Sequence, residues 1–223
     1  MNKIIFAMCV LMSVWCSASL ADDGKTSASK LKNVILFGDS IRMGYQKEVV
    51  KNLKGKAVVW APEDNCRHSK YLLESLDKWL KGRNPDVIHI NCGLHDMFLD
   101  KNGKCRHSVD EYADTLRLIF KRLKKTNAHA VVIFALTTAV DEKRQITSKN
   151  YGRLVRRNSD VDSYNKKAIE IAKEFDVQIN DLNTPIKKAG VENMLVDDGI
   201  HLNSKGAREI GALVAEVIDH AGK

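Results

Sequence analysis

The sequence has little of what marks most specialised classes of protein. Its 223 residues include only five cysteines and three prolines, and aromatic residues make up 6% of the chain. No Cys-x-x-Cys pair occurs, which removes the usual spacing of a structural zinc site. No low-complexity tract or internal repeat is present, so solenoid and disordered classes are excluded. Beyond residue 21 no apolar run approaches the ~20 residues needed to span a bilayer, and no membrane insertion is expected. Basic residues outnumber acidic ones, 36 against 28, giving a formal charge of +8. They are spread over helical and loop stretches without the interleaved aromatics of an RNA- or DNA-binding motif, so nucleic acid is not the expected partner.

The one strongly apolar segment lies at the start. Lys3 provides a charged head, Ile4 to Trp15 an apolar core, and Ser19-Leu20-Ala21 small residues ahead of Asp22. This is the pattern of a secretory signal peptide cleaved after Ala21. Trp15 before Cys16 does not fit the small residue that precedes a lipid-modified cysteine. The expected organisation is a signal peptide over residues 1–21, a linker over 22–32, and one domain over 33–223, periplasmic or secreted. The mature chain of about 200 residues is long enough for a single proper core.

That domain is organised around Asn33 to Gly44, NVILFGDSIRMG. Val34-Ile35-Leu36-Phe37 is a short β-branched run of the kind buried on both faces of a parallel sheet. Gly38 and Asp39 then favour a turn, which puts Ser40 at a strand end, where open α/β sheets bind ligands. A serine hydroxyl needs a base and a group to orient that base. Asp198-Gly199-Ile200-His201 can supply both, because three residues across a tight turn set a carboxylate beside an imidazole. Ser40, Asp198 and His201 are therefore the candidate catalytic residues.

Gly38-Asp39-Ser40, Gly93-Leu94-His95-Asp96 and Asp198-Gly199-Ile200-His201, in that order along nearly the whole mature chain, resemble the sequence blocks of the SGNH (GDSL-type) hydrolases. Arg42 stands where a Gly-x-Ser-x-Gly nucleophile elbow would need its last glycine, so the α/β-hydrolase elbow does not apply. The resemblance implies an acyl-enzyme mechanism, with the serine attacking an ester carbonyl and the histidine moving the proton. It also implies an oxyanion hole formed by the nucleophile's own N–H, a glycine amide and an asparagine side chain. Here His95 replaces that asparagine, and Asn65-Cys66-Arg67 falls where the glycine is expected. The oxyanion donors are therefore assigned to Ser40, Cys66 and His95.

Periodicity predicts strands at Val34–Phe37, Ala57–Trp60, Asp86–Asn91, Ala130–Leu136 and Val177–Ile179. Helices are predicted at Gln46–Leu53, Ser69–Leu80, Val109–Leu123, Val161–Phe175 and from Ser204 to Ile218. Strands alternating with helices imply a three-layer α/β sandwich, a five-stranded parallel sheet with helices on both faces. The resemblance adds the flavodoxin-like strand order 2-1-3-4-5.

Loops after parallel strands gather at one edge, so Asp39, Asn65, Thr137 and Thr138 are candidate substrate contacts. The basic loop residues Lys143, Arg144, Lys149, Arg153, Arg156 and Arg157 are expected to be mostly solvated, and Asp162-x-Tyr164-Asn165 to be structural. Of the cysteines left after cleavage, Cys92 ends a buried strand while Cys66 and Cys105 sit on edge loops, so a Cys66–Cys105 disulfide is expected. Cys66/His68, Cys92/His95 and Cys105/His107 bring sulfur near imidazole without metal-site spacing; no metal or cofactor is expected. The sequence thus points to a secreted serine esterase for an O-acyl, foremost O-acetyl, carbohydrate. The alternatives are a lysophospholipase or thioesterase of the same family, or a non-catalytic glycan-binding protein on its scaffold.

Overall fold

The computed structural model describes residues 31–148 and 153–222; the expected signal peptide, most of the linker, and Lys149 lie outside the described residues. Five strands form one sheet: β1 (Lys32–Gly38), β2 (Ala57–Trp60), β3 (Val87–Asn91), β4 (Val131–Ala135) and β5 (Gln178–Asn180). Every pairing is parallel and the order is β2-β1-β3-β4-β5, the order implied by the family resemblance. The central strand β3 is buried along its whole length, His89 and Asn91 included, as a strand covered on both faces is.

The helices between the strands follow from the apolar spacing. α1 (Ser40–Asn52) packs on the last helix, Ser204–His220, while α2 (Ser69–Leu80), α3 (Val109–Thr126) and Asn158–Glu174 pack in series. Numbered along the chain, the remaining elements are α4 (Glu142–Thr147), α5 (Asn158–Glu174), α6 (Asn183–Ala189), α7 (Val191–Met194) and α8 (Ser204–His220). Sequence periodicity placed α2 over its observed span, and it missed the short helices α4, α6 and α7. Helices that short carry too few apolar positions to show a face.

Two boundaries differ for a local reason. α1 begins at Ser40, six residues before the predicted start, because Asp39 is its N-cap and accepts the Ile41 N–H at 2.9 Å. α8 begins at Ser204 as expected, capped by Asn203, whose side chain accepts the Gly206 N–H at 2.9 Å. β1 starts at Lys32, inside the expected linker, where Lys32 Nζ donates to the carbonyls of Asp219 (2.8 Å) and Ala221 (2.7 Å) at the C-terminal end of α8.

Gly38 is required by close packing. A Cβ there would lie 2.4 Å from the Arg42 Cβ and 3.1 Å from the Asn91 carbonyl oxygen. Arg42, 1% exposed, uses that proximity: its guanidinium donates to the carbonyls of Gly38 (3.3 Å) and Asp64 (2.8 Å). The residue that rules out a nucleophile elbow therefore ties the β1–α1 turn to the β2–α2 loop.

Candidate active site

Ser40 is the first residue of α1, so its own N–H belongs to the first turn of a helix, where amides lack intrahelical acceptors. The turn between α7 and α8 crosses to it. His201 Nε2 lies 2.8 Å from Ser40 Oγ, and His201 Nδ1 lies 2.6 Å from Asp198 Oδ2. The other carboxylate oxygen of Asp198 accepts the N–H groups of Ile200 (2.8 Å) and His201 (3.0 Å). Burial opposes the charge on Asp198, but the hydrogen bonds from the His201 ring and these two amides outweigh it and hold its pKa below the usual carboxylate value.

The turn carrying this pair rests on α4. Gly199 has φ +73°, and a Cβ on it would fall 2.4 Å from the Asp141 carbonyl oxygen. Asp141 donates its N–H to the Gly199 carbonyl at 2.8 Å and caps α4 by accepting the Arg144 N–H at 3.0 Å. Arg144 in turn reaches the Leu195 carbonyl at 3.0 Å. Asp141 and its helix support the histidine turn, and nothing in the sequence singled them out; an Asp three residues before an Arg is an ordinary surface pattern.

The loop after β3 leaves the same edge of the sheet as the β1–α1 turn, since the two strands are adjacent and parallel. His95 is partly buried, and burial pushes its pKa down to about 4, with the guanidiniums of Arg156 and Arg106 adding to the effect. It is therefore a neutral imidazole at pH 7, able to donate one hydrogen bond. The loop is pinned by the buried Asp96, which accepts from the Ser69 N–H (3.0 Å) and Ser69 hydroxyl (2.5 Å) and contacts His107 Nδ1 at 2.8 Å. The Tyr164 hydroxyl donates to the His107 carbonyl, completing the strap.

The geometry corrects several expectations for individual residues. The Cys66 N–H donates to the Gly38 carbonyl at 3.1 Å, so it is committed to joining two loops and is not aimed at an oxyanion. Cys66, Cys92 and Cys105 are all free thiols. The expected Cys66–Cys105 bridge is absent because the two lie in different surroundings. Cys66 is wholly buried beside Gly38 and Arg42, whereas Cys105 is beside Tyr164, Asp160 and Arg157. Burial raises the pKa of both thiols.

Among the candidate substrate contacts, Asp39 is the buried cap of α1, its pKa raised by that burial to about 6. Thr137 is buried, its hydroxyl donating to the Cys92 carbonyl at 3.2 Å, and Thr138 is fully buried. Neither threonine faces solvent at the sheet edge. Asn165 holds Thr137 from both sides, accepting its N–H at 2.8 Å and donating to its carbonyl at 2.9 Å, which is the structural role its motif suggested. Asn65 is partly exposed, with its side chain accepting the Arg67 N–H at 2.7 Å. Of the basic loop residues, Arg144, Arg156 and Arg157 are not simply solvated: Arg156 is 5% exposed and Arg157 pairs with Asp160 at 2.7 Å. Among the described residues, no three His, Cys, Asp or Glu side chains converge as a metal site, and no helix is long and apolar enough to cross a membrane.

A strand-end serine, a C-terminal Asp-x-x-His turn and a five-stranded parallel sheet define an SGNH-type α/β hydrolase. The chain belongs to the GDSL-like Lipase/Acylhydrolase family, whose model matches residues 36–209, and it is an ester hydrolase. Among curated proteins it is 28% identical over 202 residues to the human isoamyl acetate-hydrolyzing esterase 1 homolog, covering 82% of this chain and 79% of that protein. Among solved structures it is similar to the lipase/acylhydrolase from Enterococcus faecalis, with TM-score 0.68, 22% identity, and coverage of 85% of this chain and 96% of the other. It is also similar to an acetylxylan esterase from Geobacillus stearothermophilus, with TM-score 0.63, 16% identity, and coverage of 86% and 95%.

Proposed function

We propose that this protein is a secreted serine esterase that removes acetyl groups from O-acetylated carbohydrate through an acyl-enzyme. The observation that carries the catalytic part is the contact of 2.8 Å between His201 Nε2 and Ser40 Oγ, continued to Asp198 at 2.6 Å. Ser40 Oγ attacks the ester carbonyl carbon while its proton passes to His201 Nε2. Asp198 keeps the Nδ1 proton in place and stabilises the imidazolium that forms. The oxyanion receives the Ser40 N–H at the positive end of α1 and the single N–H of the neutral His95 ring. Collapse breaks the bond to the alcohol oxygen, which takes the proton from His201. Water then attacks the acyl-serine and gives its proton to His201 Nε2; collapse breaks the bond between the acyl carbon and Ser40 Oγ, which takes that proton back as the acid leaves.

The acetyl preference is supported by the names of relatives, an isoamyl acetate-hydrolyzing esterase homolog and acetylxylan esterases. The carbohydrate preference is also supported by the polar side chains near the site, Asn65, Arg67, His68 and Arg106, none of them fully buried. Secretion is supported by the charged head, apolar core and small-residue site of the first 21 residues.

The test is turnover of p-nitrophenyl acetate and p-nitrophenyl octanoate beside Ser40→Ala, followed by acetate release from acetylated xylo-oligosaccharide. Wild-type hydrolysis that vanishes in the variant, faster on acetate than on octanoate, is expected. Equal background in both proteins sinks the mechanism, and an octanoate preference moves the substrate to the lysophospholipase or thioesterase alternative.

A further inference from the structure

The loop that carries His95 is surrounded by arginines in a way the acetyl-ester chemistry does not require. The guanidinium carbons of Arg106, Arg153 and Arg156 lie 5.5, 5.6 and 5.3 Å from the centroid of one ring, Phe98. All three are anchored to main-chain carbonyls of a single loop. Arg106 donates to His95 (3.3 Å), Arg153 to Leu99 and Asp100 (3.1 Å each), and Arg156 to Leu94 (2.7 Å).

Elsewhere Arg117, Arg122 and Arg157 sit on carboxylates, those of Glu174, Asp77 and Asp160, and the exposed Arg67 and Arg83 each lie singly over a ring, Tyr71 and Trp60. Among the described residues, Arg106 and Arg153 form no ion pair within 4.0 Å, although both are exposed. Each guanidinium has five N–H donors, more than these anchoring bonds use. Cations gathered around one aromatic ring repel one another unless an anion joins them. The cluster also adjoins the reaction centre, since Arg106 and Arg156 act electrostatically on His95 and Arg156 acts on Asp39, next to Ser40.

We propose that Arg106 and Arg153, on the Phe98 ring and backed by Arg156, form a subsite for an anionic group, a carboxylate or sulfate, carried by the alcohol part of the ester. This rests on the esterase function proposed above and narrows its substrate to an acidic sugar ester. Planar guanidinium forks suit the oxygens of either group, and phosphate shares that geometry.

The experiment measures acetate release at low ionic strength from three O-acetylated methyl glycosides, of glucose, of glucuronic acid and of glucose 6-sulfate. One or both anionic sugars should exceed glucose in kcat/KM by about tenfold, mainly through KM, as one or two charge-assisted contacts would give. Salt near 0.5 M should shrink that advantage. In Arg106→Gln/Arg153→Gln the ratio of anionic to neutral substrate should fall toward one, and whichever anionic sugar loses the larger advantage identifies the group.

Equal kcat/KM for all three sugars, or a ratio unchanged in the variant, overturns the subsite. Failure of the esterase function itself is separate, since p-nitrophenyl acetate turnover and its loss in Ser40→Ala report it. If no sugar ester is hydrolysed, calorimetric titration with methyl glucuronide, glucose 6-sulfate and glucose decides. Binding of an anion that weakens in the double variant supports the subsite, and no difference among the three ends it. Should the double variant unfold, Arg153→Gln alone, at an exposed position, serves in the same assays.

Discussion

On the nucleophile's side of the site, Ser40, His201 and Asp198 are joined by direct contacts of 2.8 and 2.6 Å, and two amides hold the charge on Asp198. Across from them His95 is kept neutral by burial and neighbouring cations, and the amide of Cys66 is turned away to Gly38. One side stabilises a charge that is present before reaction; in the mechanism proposed above, the other keeps an uncharged donor ready for a charge that develops only during it. The difference teaches where each side is vulnerable. The first depends on the identity of three residues, and the second on the burial and setting of one.

The largest effect should come from breaking the first side without removing the base. Asp198→Asn keeps an oxygen for the Ile200 and His201 N–H groups, so the turn should survive. Its amide NH₂ directed at Nδ1 favours the wrong imidazole tautomer, and kcat on p-nitrophenyl acetate should fall on the order of 10³- to 10⁴-fold. A loss under about tenfold would mean that His201 is oriented by its backbone alone, and that the contrast between the two sides is overstated.

The second side should be weaker but more forgiving. His95→Ala should lower kcat on the order of 10²- to 10³-fold with KM little changed, the cost of one lost oxyanion donor. His95→Asn restores an amide donor at the same point and should recover most of that loss. An alanine variant within about threefold of wild type would leave the oxyanion to the Ser40 N–H and the α1 terminus.

The same contrast decides what the sequence revealed. The catalytic candidates Ser40, Asp198 and His201 were legible because a strand end and an i, i+3 turn are local, and the structure brings exactly those atoms within hydrogen-bond distance across 161 positions. The parallel sheet was legible because β1 and β4 carry continuous apolar runs and β3 is apolar except at His89 and Asn91. What failed depends on the direction of a group after packing. Thr137 sits at the predicted strand end, but its hydroxyl turns to the Cys92 carbonyl. Cys66 occupies the expected loop, but its N–H turns to Gly38. Cys66 and Cys105 are both on loops after strands, yet packing gives them different neighbours, which spacing cannot reveal. Arg153 and Arg156 read as loop charges until the Phe98 ring gathers them.

Acid should expose the desolvation of two histidines, one of them His95. His89, wholly buried on β3, is pushed by burial from 6.5 to about 3, and His95 from 6.5 to about 4. Both stay neutral in the folded protein while the unfolded chain takes up protons below pH 6.5, so stability falls as pH drops from 6.5 toward 4. At pH 5 each histidine costs about 2 kcal/mol, less for the partly exposed His95. Asp39, with its raised pKa, works the other way and returns about 1 kcal/mol over the same range. Urea midpoints should therefore be lower at pH 5 than at pH 7 by a net ~2 kcal/mol, with His95→Asn recovering part of the difference. Midpoints independent of pH over that range would show that His95 is not held neutral by the fold.

The smallest effect concerns Asp39, the buried carboxyl next to Ser40. Burial raises its pKa from 3.8 to about 6, while the Ile41 N–H and the charges of Arg156 and His201 partly offset the cost. Its folded pKa lies above its unfolded value, so ionisation opposes folding. The penalty is absent at low pH, grows as pH rises from 3.8 to about 6, and is constant above that. Asp39→Asn removes the charge and keeps an oxygen to cap α1, but it buries an amide NH₂ with its own desolvation cost. The balance should stabilise the variant by about 1 kcal/mol at pH 8, with little or no gain at pH 4.5. Removing a negative charge near His201 should also lower kcat by a few fold, because the imidazolium formed during attack loses a favourable neighbour. Urea unfolding at the two pH values checks the stability half, and p-nitrophenyl acetate turnover the other. A stability difference equal at pH 8 and pH 4.5 would assign Asp39 to capping alone and remove charge from the turn that presents Ser40.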